Sequence, residues 1–274
     1  MRAAIVLLAG LFLVGEVLAR PSIFAERALR RGRPALPAAD VPATIPASFA
    51  TSANPTATSN NWAGVVLPSP PAGENFTAVS GTFTVPTLAP STYAAASIWL
   101  GIDGWQTESS TTQGLFQAGV DCWVENGQLT YNAWYEWVPD SSWNFTDFRI
   151  SAGDVLTFRL VATSDREGTI DIENETTGQT TSKVLDAPPS PPFTNPQLSL
   201  QTAEWIMEDF FWYGQVPLAD FGSIKFTDAS ATTNAGSSVG LTDGTIVNLV
   251  LNNKARTDVT IDDASSATVK YLSP

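Results

Sequence analysis

Two segments of the sequence carry side chains that could do hydrolytic chemistry. Residues 98–123, IWLGIDGWQTESSTTQGLFQAGVDCW, contain Gln117 and Asp121 between glycine-rich turns. Residues 201–211, QTAEWIMEDFF, contain Glu204. On an extended strand Gln117 and Asp121 lie on one face, because side chains alternate across a strand. These segments therefore offer a carboxylate as an acid–base group and a carboxamide as a hydrogen-bond donor.

Spacing alone does not bring these groups together, because 87 residues separate Gln117 from Glu204. Judged by residue type, Glu204 is more often an ordinary carboxylate at a sheet edge, and Gln117 a buried amide donor, than either is a catalytic group. Both readings stay open at this point.

The 274-residue chain has no histidine, and its single cysteine is Cys122. Histidine is the most common general base near neutral pH and a frequent metal ligand, so histidine triads and histidine-ligated zinc sites are excluded. We expect no metal and no cofactor. An enzyme built on this chain must use carboxylates, carboxamides, hydroxyls and water, a chemistry suited to acidic pH. With one thiol there is no internal disulfide, so stability must come from the core.

The first residues have the pattern of a secretory signal peptide. Arg2 is followed by an apolar stretch and by Val17-Leu18-Ala19, which predicts residues 1–19 as the leader with cleavage after Ala19. Glu16 interrupts the apolar stretch, which is too short for a membrane anchor. We therefore expect a secreted, extracellular protein without a membrane partner.

Charge divides the rest of the chain into a basic arm and an acidic domain. Residues 20–55 carry five arginines against two acidic residues, with many prolines and alanines, and are predicted to be a propeptide. The whole chain has 14 basic and 27 acidic residues, and 6 of the basic and 3 of the acidic residues lie in the first 55 positions. Residues 56–274 therefore carry 8 basic and 24 acidic residues, a formal charge of −16. Nucleic acid is an unlikely partner for so acidic a domain. Inhibition by its own propeptide is expected, since opposite charges attract.

Residues 56–274 are predicted to form a single all-β domain. Helical periodicity is almost absent, whereas period-two alternation and turn residues recur. In residues 128–137, Tyr131, Ala133, Tyr135 and Trp137 alternate with Asn132, Trp134 and Glu136, and Asn126-Gly127 before them predicts a hairpin. Many short strands with little helix indicate an antiparallel sandwich or barrel. Further strands are predicted at 119–125, 155–163, 169–173, 223–227, 246–251 and 267–272.

Six motifs, in order and spacing, resemble the glutamic peptidases, also called eqolisins. The resemblance covers about residues 59–253, and the motifs read SNNWAG, WLGIDG, FQAGVD, YNAWYEW, TAEWIMEDF and FGSIKFTDA. The resemblance implies an antiparallel β-sandwich of two large curved sheets, like the concanavalin and other lectin folds. It also implies a zymogen that becomes a metal-independent acid endopeptidase acting on polypeptides; we expect a monomer.

The resemblance also implies roles for individual residues. The family's catalytic glutamine falls on Gln117 and its catalytic glutamate on Glu204, which would together activate a water molecule. The implied substrate-binding positions are Trp62, Trp99, Asp103, Asp121, Trp134 and Glu136. Asn132 stands where the family often has aspartate, which removes one acidic neighbour from this site.

Two alternatives belong to other functional classes. A β-sandwich rich in tryptophan suits a carbohydrate-binding or glycan-cleaving protein, in which Glu136 and Glu204 could form a carboxylate pair. A catalytically inactive family member is the other, although the presence of both Gln117 and Glu204 argues against it. Sequons at Asn75, Asn144 and Asn174 are candidates for glycosylation.

Overall fold

The computed structural model describes residues 54–105, 114–189, 195–210 and 216–273. The predicted leader, residues 1–19, lies outside the described residues, as does nearly all of the predicted propeptide, residues 20–55. In the described part, the prediction of an all-β fold is confirmed: the chain forms two large, mostly antiparallel sheets and one short 3-10 helix, Leu241–Asp243. No helix in this part is long and apolar enough to cross a membrane.

The strands are numbered in chain order. Their bounds are β1 Thr56–Ser59, β2 Trp62–Leu67, β3 Phe76–Thr84, β4 Tyr93–Ile102, β5 Leu115–Glu125, β6 Gln128–Val138, β7 Trp143–Asn144, β8 Val155–Ala162, β9 Glu167–Asn174, β10 Gln179–Asp186, β11 Ala203–Glu208, β12 Ser223–Thr233, β13 Ser238–Val239, β14 Thr245–Leu251, β15 Lys254–Ala255, β16 Thr257–Asp263 and β17 Ser266–Tyr271.

One sheet has nine strands and the other eight. The first runs β1-β14-β2-β11-β4-β5-β6-β7, with β15 beside β14; the second runs β10-β9-β8-β3-β12-β17-β16, with β13 beside β12. The pairings between these strands are antiparallel except for the parallel pair β1–β14. In the nine-stranded sheet β11 therefore lies between β2 and β4, although it follows β4 by about a hundred residues.

Apolar side chains from the facing sides of the two sheets form the main core. Phe83 stacks on Phe158 with ring centroids 5.5 Å apart and meets Phe226 edge-on at 5.8 Å. Trp205 projects into this core from β11, and its indole N–H donates to the Ser80 carbonyl at 2.9 Å. That hydrogen bond satisfies the polar group that a buried tryptophan brings with it. The inner faces of the sheets thus fix the orientation of the opposite, outer face.

Alternation identified the strands that have one polar face. The predicted 128–137 strand is β6, and Tyr131, Ala133, Tyr135 and Trp137 do pack on the main core. Alternation missed several strands, among them β2, β4, β10 and β16. All six residues of β2 are buried, as are nine of the ten residues of β4. Strands covered on both faces give continuous apolar runs, so period-two alternation could not reveal these two central strands.

Candidate active site

The outer face of the nine-stranded sheet brings the two predicted catalytic residues into one row. We define the outer face by the β2, β4, β5, β6 and β11 side chains that point away from the main core. Across it, the register pairs Glu204 with Gly101, Gly101 with Gln117, and Gln117 with Glu136. Val66 of β2 pairs with Glu204 on the other side. Directly paired residues share a face, so this catalytic row contains both predicted catalytic side chains.

Gly101 separates the pair and leaves a gap between them. Two strand spacings lie between the Cα atoms of Glu204 and Gln117, about 10 Å. A Cβ added to Gly101 would project into this gap, 3.4 Å from Cβ of Gln117 and 3.0 Å from the ring of Trp99. Gly101 therefore places no side chain between the Glu204 and Gln117 positions of the outer face. Sequence reasoning did not identify Gly101 as a site residue.

Gln117 is fixed in orientation by Glu136. Its Nε2 donates to Oε2 of Glu136 at 2.6 Å, and both side chains are buried. One N–H of the carboxamide remains, and its Oε1 has no hydrogen-bond partner within the described part of the chain. A buried polar atom without a partner destabilises the fold unless water or a ligand binds it. The carboxamide therefore retains hydrogen-bonding capacity for a ligand.

Glu204 is fully buried, and burial raises the pKa of its carboxyl well above the ordinary range. The Thr202 hydroxyl, which donates to Oε1 of Glu204, lowers that pKa, whereas the nearby Asp103 carboxylate raises it. No described residue contributes a hydrogen bond to the second carboxyl oxygen, Oε2. Glu204 thus has one oxygen held by the protein and one that can exchange a proton.

Tryptophans occupy the neighbouring positions of the outer face. Trp99 and Trp134 pair with Gly119 of β5 on either side, one row from the catalytic row, and both are buried. Trp62 meets Trp99 edge-on with ring centroids 4.9 Å apart and lies 6.5 Å from Trp105. The three predicted substrate-binding tryptophans therefore lie on the same face as the catalytic pair, in an apolar cluster separate from the main core. Their contact with substrate stays a prediction.

A second acidic row crosses the outer face beyond the tryptophans. Glu208 pairs with Ser97, and Ser97 with Asp121, whose other neighbour is Asn132. The Ser97 hydroxyl donates to Asp121 at 2.7 Å, and the Trp99 indole N–H donates to Glu208 at 2.8 Å. Asp121 thus orders the site through Ser97, and Glu208 fixes the indole of Trp99. The sequence analysis did not include Glu208 in the site.

Asp103 organises the turn that precedes β11. It is buried, with a φ of 68°, and its carboxylate accepts hydrogen bonds from the Ser199 hydroxyl and from the backbone N–H groups of Leu200, Gln201 and Thr202. Burial raises the pKa of the Asp103 carboxyl, while these four hydrogen bonds lower it. These hydrogen bonds hold the chain next to Glu204, and contact of Asp103 with a substrate stays a prediction.

The sequence model of the peptidase A4 family matches residues 60–271, which include every residue of this site. The chain belongs to the peptidase A4 family. The resemblance inferred from the six motifs is thereby confirmed, and the chain is a glutamic-type endopeptidase, a hydrolase. The site of this A4 peptidase contains the Gln117 and Glu204 positions that the family motifs predicted.

Two fungal relatives are similar to this A4 peptidase over most of its length. Aspergillopepsin-2 of Aspergillus niger is 36% identical over 235 residues, which is 78% of each chain. Scytalidopepsin B of Scytalidium lignicola is 37% identical over 210 residues, 74% of each chain. Among solved structures, scytalido-glutamic peptidase with a transition-state analogue inhibitor matches with a TM-score of 0.65 and 36% identity, covering 78% of this chain and 98% of that one.

The predicted sequons occupy different environments in the A4 peptidase. Asn75 and Asn144 are partly exposed and stay candidates for glycosylation. Asn174 requires a correction: its side chain is fully buried, and its Nδ2 donates to Asp154 at 2.8 Å. That nitrogen is the atom to which a glycan would be attached, so the folded chain leaves no room for one.

Proposed function

We propose that this A4 peptidase is a secreted acid endopeptidase in which Glu204 and Gln117 activate a water molecule to cleave peptide bonds. The observation that carries this proposal is the catalytic row, in which Glu204 and Gln117 lie on the same face of the sheet on either side of Gly101. Glu204 Oε2 and Gln117 Oε1 both lack hydrogen-bond partners among the described residues, so both are available to a water molecule in the gap between them.

The proposed reaction begins with Glu204 as the carboxylate. Oε2 takes a proton from the water, and the water oxygen bonds to the carbonyl carbon of the scissile peptide. The carbonyl oxygen becomes an oxyanion, which the remaining N–H of Gln117 stabilises. The carbon–nitrogen bond then breaks as protonated Glu204 returns the proton to the amine, leaving a carboxylic acid and an amine as products.

Glu136 keeps the donor of this reaction correctly oriented. A free carboxamide can rotate by half a turn and present oxygen where a donor is needed. The 2.6 Å hydrogen bond to Glu136 fixes Nε2 of Gln117 on one side, so the remaining N–H has a defined direction. A fixed donor stabilises developing charge without reorganising during the reaction.

The pKa of Glu204 restricts when the reaction can start. Burial favours the protonated carboxyl, whereas a general base must be ionised. Both residues of the pair are fully buried, so the carboxyl of Glu204 has little contact with solvent. Water that enters with a substrate would reduce the desolvation that raises the pKa of Glu204. Substrate entry and ionisation of the base would then be coupled.

Acidic working conditions and control by the propeptide complete the proposal. The domain carries a formal charge of −16 and no histidine, so acid does not charge buried imidazoles, and it relieves repulsion between carboxylates. Arginines in residues 20–33 would hold the propeptide on the domain near neutral pH. As pH falls toward about 3, carboxylates with ordinary pKa values near 4 lose their charge, whereas arginines keep theirs. The attraction weakens and the propeptide dissociates.

Glycan cleavage is disfavoured by the register. Glu136 and Glu204 are separated by Gly101 and Gln117, which places their Cα atoms three strand spacings apart, about 14 Å. The carboxyl groups of glycosidases usually lie about 5 to 9.5 Å apart, so two glutamates at this Cα separation would have to extend toward each other across the row. The Gln117 side chain also stands between the two carboxylates.

The direct test is hydrolysis of casein or haemoglobin at about pH 3 by matched variants. Glu204→Gln should abolish turnover, because the nearly isosteric change removes the proton acceptor. Gln117→Ala should lower kcat by about two to three orders of magnitude, as for loss of an oxyanion donor. Glu173→Gln makes the same exchange as the first variant at an exposed position of β9 and should retain activity. Normal turnover by Glu204→Gln would refute the proposal.

A further inference from the structure

The Thr202 hydroxyl makes the two oxygens of Glu204 inequivalent. Thr202 directly precedes β11 and lies two residues before Glu204, so both side chains point to the same side of the extended chain. Its hydroxyl donates to Oε1 of Glu204, and both residues are almost completely buried. Oε2, by contrast, has no partner within residues 54–105, 114–189, 195–210 and 216–273.

Asp103 determines where the Thr202 hydroxyl lies. The Asp103 N–H donates to the Thr202 carbonyl at 3.0 Å, and the Thr202 N–H donates to Oδ1 of Asp103 at 3.3 Å. Both backbone polar groups of Thr202 are therefore bound to one residue of the turn after β4. The neighbouring Ser199 and Leu200 donate to the same carboxylate, each at 2.8 Å.

Two residues that form this contact between the turn after β4 and the chain before β11 have unusual backbone conformations. Asp103 has a φ of 68° and Leu200 a φ of 59°, both in the left-handed region that non-glycine residues seldom adopt. Such conformations persist only where the surroundings fix them, and they cluster at functional sites. Here the surroundings are the hydrogen bonds between Asp103 and residues 199–202. The strained turn fixes the backbone of Thr202, and the hydroxyl then fixes Glu204.

We propose that Thr202 is a positioning residue for Glu204. This inference rests on the proposed function and assigns the proton transfers to one atom. With Oε1 held by the hydroxyl, rotation of the carboxylate is restricted, and Oε2 alone takes the proton from water and returns it to the leaving amine. The hydroxyl also stabilises the ionised form, because its hydrogen bond to a carboxylate is stronger than one to a neutral carboxyl.

The charges around Glu204 make this donor important. The acidic residues on the surrounding elements are Asp103 after β4, Asp121 on β5, Glu136 on β6 and Glu208 on β11 itself. On β2 the paired position is Val66, which carries no charge. Burial and the Asp103 carboxylate both oppose ionisation of Glu204. Among the groups that lower the pKa of Glu204, the Thr202 hydroxyl has the largest effect, followed by the Trp105 backbone.

The test compares Thr202→Val, which keeps the shape and removes the hydroxyl, with Thr202→Ser, which keeps the hydroxyl. The dependence of kcat on pH is measured from about pH 2 to 6. Without the hydroxyl, ionisation of Glu204 requires a higher pH, so the acid limb of the Thr202→Val profile should move upward. On that limb kcat should fall about tenfold or more, since hydrogen bonds to charged groups are among the stronger ones. KM should change little, and Thr202→Ser should restore the profile.

Several outcomes would overturn the inference. Thr202→Val could lose kcat equally at every pH or keep the original profile, and Thr202→Ser could be as impaired as Thr202→Val. Circular dichroism and thermal unfolding report whether each variant folds. If Thr202→Val does not fold, the smaller Thr202→Ala variant is measured in its place. Failure of the proposed function looks different: Glu204→Gln would remain active, whatever Thr202 does.

Discussion

Replacing Glu204 by glutamine should stabilise the folded chain at neutral pH and leave its stability at pH 3 nearly unchanged. Glu204 is fully buried, and its pKa in the folded state is raised well above the unfolded value of about 4.3. The folded state therefore holds this proton to higher pH than the unfolded state does. The free energy of unfolding falls as pH rises from the unfolded pKa through the folded pKa. Glutamine has no proton to lose, so the variant escapes this decline.

The size of the effect follows from the linkage between protonation and folding. Each unit by which the folded pKa exceeds the unfolded one lowers the stability at neutral pH by about 1.4 kcal/mol. In a domain of this size, 1 kcal/mol changes the melting temperature by about 2–4 °C. We therefore expect the variant to have a higher melting temperature than its parent at pH 7, with a difference that shrinks as the pH falls toward 3. The Asp103 carboxylate raises the pKa of Glu204, so the two groups oppose each other's ionisation, and removing the Glu204 carboxyl should add to the gain in stability at neutral pH.

The assay is thermal unfolding of the unprocessed chain, followed by tryptophan fluorescence from pH 3 to 7. Both chains carry Gln117→Ala, so neither digests itself at acidic pH. Glu173→Gln, at an exposed position of β9, controls for the loss of one negative charge. A gain in melting temperature that is the same at every pH would refute the reasoning, as would a lower melting temperature at pH 7.

Three further predictions concern the gap, the reaction class and activation. Gly101→Ala should lower kcat about a hundredfold, because the added methyl enters the gap between the catalytic side chains. Its contacts of 3.0–3.4 Å should destabilise the fold by only about 1–3 kcal/mol. An unchanged kcat would mean that the water molecule lies elsewhere. Pepstatin mimics a transition state held by two aspartates, so it should inhibit casein hydrolysis at pH 3 poorly. Metal chelators should have no effect on that hydrolysis. Strong inhibition by either would reject the Gln–Glu mechanism. A synthetic peptide of residues 20–55 should inhibit the enzyme that lacks these residues near neutral pH. It should lose potency in high salt, because charge is screened over about 10 Å at 0.1 M salt. Equal inhibition at pH 3 in high salt would show that charge does not hold the propeptide.

The strands that could be predicted from the sequence are those in which the alternation of apolar and polar residues matches the alternation of buried and exposed side chains. Strand β6 alternates between the main core and the outer face, so its period-two pattern identified both its extent and the side on which Glu136 lies. The hairpin at Asn126-Gly127 was equally local: Asn126 has a φ of 50° and Gly127 a φ of 77°, as a tight turn of this kind requires.

The site depended on pairing that no local pattern contains. Gln117 and Glu204 meet because β4 pairs with both β5 and β11, and a shift of one residue in either register would turn one of them to the main core. The family motifs identified the pair without explaining how it comes together. The sequence did contain signals for Gly101 and Thr202. Gly101 lies in the motif WLGIDG, and Thr202 lies two residues before Glu204 on an extended chain. Their roles became clear only from the positions of their partners.

The parallel pairing of β1 with β14 limits how far the folded domain can be shortened from its amino-terminal side. The Pro55 carbonyl accepts from the Ile246 N–H at 2.9 Å, and β1 continues this pairing to Ser59, whose hydroxyl accepts from the Trp62 N–H at 3.0 Å. Trimming past Ser59 would leave the backbone of β14 unprotected at the end of a nine-stranded sheet, where another copy could add its own strand. It would also release the turn that fixes Trp62. If the proposed propeptide is removed by proteolysis, a cut beyond Ser59 would therefore favour aggregation, so sheet pairing restricts where that cut can fall.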